Sequence, residues 1–68
     1  MNDERALWTV GQLDCVMISC CAGAELQVRS GDRIVLRELY PTKSDLYDRA
    51  RQLEADYRAR EAGGAEVN

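Results

Sequence analysis

The sequence predicts an α+β protein: a three-stranded antiparallel β-meander followed by one C-terminal amphipathic helix, β-β-β-α. Three observations carry this. Leu13–Cys21 is apolar at both its odd and its even positions. Glu25–Leu39 alternates apolar and polar residues around a break at Arg29–Asp32. Leu46, Ala50, Leu53 and Tyr57 follow one another at spacings of 4, 3 and 4, the stripe of a 3.6-residue helix.

The elements follow in chain order. Residues 1–6 are charged and read as a flexible N-terminus. Residues 7–21 read as one long strand, bent where Gly11-Gln12 interrupts it, because glycine inside a strand pattern often marks a bulge or bend. A tight hairpin at Gly11-Gln12 is the lesser alternative. Cys21-Ala22-Gly23-Ala24 makes a small-residue turn into the strand that holds Leu26 and Val28.

Parity then sets the next connection. Leu26 and Val28 share a face with Ile34 and Leu36 only if the loop has an odd number of residues. A three-residue loop Arg29-Ser30-Gly31, with Gly31 left-handed in a bulged turn, meets that condition. Tyr40-Pro41 ends the last strand, since the residue before proline avoids the helical region. Thr42 is a good N-cap, with Asp45 three residues on.

Acid–base pairs four apart (Asp45/Arg49, Glu54/Arg58, Asp56/Arg60) line the outer face of the helix. Gly63-Gly64 stops it. The domain therefore spans 7–62, with 63–68 a disordered tail, and the helical stripe packs on Leu26, Val28, Ile34 and Leu36.

Composition limits what such a chain does. The protein has 68 residues, 46% of them hydrophobic and 31% charged, with one proline and a net charge of −3. That composition suits a folded chain, not a disordered one. A domain this small buries only about 60% of its unfolded surface, so association, metal or disulfides often supplement its core. No segment is a basic arm or an acidic tail, so the overall field gives no pull toward nucleic acid or anionic membrane.

The opening M-N-D-E-R lacks the apolar run of a signal peptide, and no stretch approaches a membrane span. The expected setting is the cytoplasm. Lys43 is the only lysine beside eight arginines, a bias that points to a GC-rich bacterial or phage genome.

Chemistry-bearing groups are few. With no histidine, a general base near neutral pH would need a strongly perturbed side chain, and no Gly-rich phosphate loop is present. The expectation is a protein that is not an enzyme, with no catalytic residue, no cofactor and no metal. In an extended strand Cys15 and Cys20 lie roughly 16 Å apart, too far to bridge. Cys15, Cys20 and Cys21 read as reduced thiols acting as small buried hydrophobes.

Two surfaces stand out. One helix covers one face of a sheet, so the second apolar face of Leu13–Cys21 calls for another copy or another protein. Trp8, Val10, Val16, Ile18 and Cys20 are the candidate interface residues. They would act by face stacking or by edge pairing of strand 7–21 in a homodimer. Trp8 reads equally well as a cap on the open end of a small core.

Arg29, Arg33 and Arg37 form the alternative, a nucleic-acid-binding row on one sheet face. Against it, that face offers no aromatic platform for bases, and a solvated charged face explains such a row as well.

Overall fold

The computed structural model describes residues 3–20 and 22–64. The architecture is α+β, as expected, but the sheet has four strands instead of three: β1 (Asp3–Val10), β2 (Leu13–Cys20), β3 (Gly23–Ser30) and β4 (Arg33–Tyr40). They pair antiparallel in the order β1-β2-β3-β4, and helix α1 (Lys43–Gly64) follows.

The correction lies at Gly11-Gln12. Residues 7–21 are not one bent strand: Val10 pairs with Leu13, and the chain reverses across a two-residue turn. Gly11 and Gly31 carry φ of 59° and 62° at the first turn position, a conformation that costs glycine nothing and gives a hairpin its correct twist. β1 also takes in Asp3–Ala6, from the stretch expected to be a flexible N-terminus. Residues 65–68 of the expected tail lie outside the described residues.

The β3–β4 connection differs too. Ser30 pairs with Arg33 across a two-residue turn at Gly31-Asp32, not a three-residue loop. The extra residue sits one step later, as a bulge. Arg29 faces Ile34 and Val28 faces Leu36, which leaves Val35 unpaired between them. Val28 and Leu36 thus share a face as expected, whereas Ile34 and Arg33 exchange faces. Ile34 is 51% exposed and is not part of the core.

α1 begins as read from the sequence. The Thr42 hydroxyl accepts from the Asp45 amide at 3.2 Å, satisfying one free N–H of the first turn. Leu46, Ala50 and Leu53 are buried on Cys15, Met17, Ala24, Leu26 and Val28. Leu7, Trp8, Leu13, Leu36, Tyr40, Tyr47 and Tyr57 close the margins.

The helix starts beside the end of β4 and reaches the β1–β2 turn, where the Glu61 side chain lies against Gly11. Arg49 leaves its expected partner Asp45 and crosses to Glu38 of β4 at 3.1 Å. Glu54–Arg58 forms as expected at 2.8 Å. Arg60 lies over the Tyr57 ring, 5.5 Å from its centroid. Among the described residues, no helix is long and apolar enough to cross a membrane.

Candidate functional site

The candidate interface residues divide between the two faces of the sheet. Trp8 pairs with Cys15 and Val10 with Leu13, so both belong to the helix-bearing face. Trp8 donates its indole N–H to the Ala50 carbonyl at 2.9 Å and packs 6.0 Å from Tyr57, centroid to centroid. It caps the open end of the core. Val10 is buried.

Val16, Ile18 and Cys20 alternate onto the helix-free face: Val16 is buried, Ile18 half-buried and Cys20 exposed. β2 is an interior strand, flanked by β1 and β3, so edge pairing through it is ruled out.

No helix covers Val16, yet it is only 6% exposed. The register explains this. Glu4 stands opposite Ile18, and Arg29 stands opposite Asp14, one on each side of β2 and on either side of Val16 along it. Arg29 reaches across to Glu4 with both terminal nitrogens, at 3.2 and 3.3 Å. Val16 lies beneath that bridge, beside Gln27, its cross-strand partner.

The bridge continues sideways. Arg29 Nε donates to Gln27 Oε1 at 2.9 Å, and Gln27 Nε2 donates to Glu25 at 2.6 Å. Arg37 of β4 donates to the same Glu25 oxygen. Gln27 is buried, at 7% exposure, and both ends of its amide are satisfied. One connected chain of side chains, Glu4–Arg29–Gln27–Glu25–Arg37, therefore links β1, β3 and β4 and passes over β2. The hydrogen bond from Gln27, then that from Arg37, holds the Glu25 carboxyl below its ordinary value.

This network dissolves the arginine row. Arg29 and Arg37 are spent on carboxylates of the same chain. Arg33, opposite Ser30, stands on the helix-bearing face because the bulge at Val35 reverses its side. The three expected to share a side do not.

Apolar surface is concentrated elsewhere. Ile34, Val35 and Leu39, all on β4, are the exposed large hydrophobics of the described residues, at 51%, 51% and 69%. β4 is an edge strand. Leu39 also borders an apolar cleft of about 260 Å³ that Cys20, Ala22, Ala24, Tyr40 and Pro41 line. The other edge, β1, exposes Asp3, Glu4, Arg5, Ala6 and Thr9, charged or small side chains. The sequence signal for this contrast is the unbroken Ile34-Val35-Leu36 run, of which parity assigns Ile34 and Leu36 to the core and Val35 to the opposite face.

On the helix side, Glu38 of β4 accepts from Arg49 and from the Tyr40 hydroxyl. The bond from Arg49, then that from Tyr40, lowers the Glu38 pKa, and the Glu38 carboxylate raises that of Tyr40. Burial, reinforced by Glu54, pushes the Cys15 thiol up to about 11, which makes it a poor nucleophile. Cys15 and Cys20 are free thiols, and Cys21 lies outside the described residues. Among the described residues, no group of three or more Cys, Asp or Glu side chains is placed to share a metal ion.

The class of protein defined here is a four-stranded antiparallel meander closed on one face by a single helix. No protein-family model, no curated protein and no solved structure matches this chain.

Proposed function

We propose that this chain is a non-enzymatic association module that works as a homodimer, with the exposed apolar margin of β4 as its contact surface. The observation that carries this is the confinement of Ile34, Val35 and Leu39 to one unpartnered edge strand. Such an edge invites pairing, and proteins that avoid pairing usually charge or cover it. Both edge strands carry exposed charge, but β4 alone adds exposed Ile34, Val35 and Leu39 beside its Arg33 and Arg37. A second copy is the simplest occupant, because an isologous two-fold contact is the commonest solution for a homo-oligomer.

The exposed free thiol of Cys20 supports a reducing setting such as the cytoplasm. No observation favours nucleic-acid binding, since Arg29 and Arg37 already face Glu4 and Glu25.

Sedimentation velocity at tens of micromolar tests the proposal. Wild type should sediment as a dimer, and Leu39→Glu, at a site 69% exposed, should give a folded monomer. A wild type that stays monomeric across the concentration range contradicts it.

A further inference from the structure

We infer that β4 pairs antiparallel with β4 of a second copy about a two-fold axis at Leu36, joining two four-stranded sheets into one. This rests on the association reading above and gives it a register. Opposed residues in an antiparallel pair share a face, so the axis must pass through a residue and not between two. With Val35 set aside as the bulge residue, three axes align five or more positions of β4: those at Leu36, Arg37 and Glu38.

Charge separates them. An axis at Glu38 sets two carboxylates opposite each other, and an axis at Arg37 sets two guanidinium groups side by side, each held by its own Glu25, and leaves Arg33 opposite the second copy's Tyr40. Like charges directly opposed are destabilising. The Leu36 axis instead places Arg33 opposite the second copy's Glu38, twice over by symmetry, and Ile34 opposite the second copy's Arg37. Arg33 is exposed and makes no ion pair among the described residues. Glu38 has 31% of its side chain exposed, beyond its bonds to Arg49 and Tyr40. Both lie on the helix-bearing face of their strand, as an opposed pair requires. The axis that satisfies the charges also brings Leu36 against its own copy and lays Ile34 along the aliphatic stem of the facing Arg37.

Cysteine cross-linking reads the register directly. At the axis the two Leu36 Cα atoms lie about 5 Å apart, within disulfide reach. The two Arg37 Cα atoms, displaced in opposite directions, lie about 8 Å apart and beyond it. With Cys20 and Cys21 replaced by serine, Leu36→Cys should form a disulfide dimer under mild oxidation at least about tenfold faster than Arg37→Cys. Independently, Arg33→Glu, at an exposed site, should weaken the dimer about tenfold and lower its dependence on salt.

Faster linkage at Arg37→Cys, or a sedimenting dimer that neither cysteine links and Arg33→Glu leaves intact, overturns the register while leaving association standing. A chain that never dimerises overturns both.

Discussion

The two faces of this sheet are closed by different physics. On one, α1 lays Leu46, Ala50 and Leu53 over Cys15, Leu26 and Val28, an apolar seal that excludes water by bulk. On the other, no element packs among the described residues, and the seal is a line of hydrogen-bonded polar side chains from Glu4 to Arg37. The aliphatic parts of Arg29 and Gln27 supply the cover over Val16, and their polar ends satisfy one another. A strand that is apolar on both sides therefore does not by itself demand a partner. Both seals end on β4, through Arg37 on one face and Leu36 and Tyr40 on the other, and leave its Ile34, Val35 and Leu39 exposed.

The comparison can be broken first where burial is deepest. Leu26→Ala, on the helix side, should cost about 2–5 kcal/mol in a urea titration, through lost transfer energy and the cavity left behind. Val16→Ala, beneath the polar cover, should cost less, about 1.6 kcal/mol for its two methyl groups. Equal costs would mean that the polar cover seals as well as the helix does.

Arg29→Ala sharpens the same point. It removes the bridge over Val16 and leaves the Gln27 carbonyl oxygen without its donor, for a loss of about 1–3 kcal/mol. Glu4→Gln, which touches only the half-exposed end of that bridge, should cost under about 1 kcal/mol. If Arg29→Ala cost no more than Glu4→Gln, the buried amide would not be the keystone of that face.

Acid reaches both faces by a smaller route. Glu25 and Glu38 ionise below their ordinary value of 4.5 in the folded chain and return to it on unfolding. The stability they lend is complete above that value and drains away as pH falls through their folded pKa values. Urea midpoints should therefore hold from pH 7 to about 5 and decline below 4.5, less steeply in Glu25→Gln.

Much of this was legible beforehand. The Thr42 cap and the Leu46/Ala50/Leu53/Tyr57 stripe need only helical spacing, and the structure follows them. The fourth strand was hidden because Leu7–Val10 and Leu13–Cys20 are both β-forming, so Gly11-Gln12 reads as well as a bend as a turn. Its signal was spacing: Gly11-Gln12, Cys21-Ala22 and Gly31-Asp32 recur every ten residues, each after eight residues of strand.

Parity between β3 and β4 requires one extra residue, which either the turn or the strand can hold. A bulge at Val35 aligns Val28 with Leu36 as a longer loop would, yet it exchanges the faces of Arg33 and Ile34. That single displacement takes Arg33 out of the arginine row and Ile34 out of the core. The polar cover was illegible for another reason: Glu4 and Arg29 are 25 residues apart, and only the four-strand order brings them to either side of Val16.

A dilution series of amide nuclear magnetic resonance spectra weighs the edge against the face directly. Concentration-dependent shifts should gather on Ile34, Leu36 and Arg37, while Val16 and Ile18 of β2 stay in place. Shifts centred on Val16 and Ile18, or none at any concentration, would contradict the account.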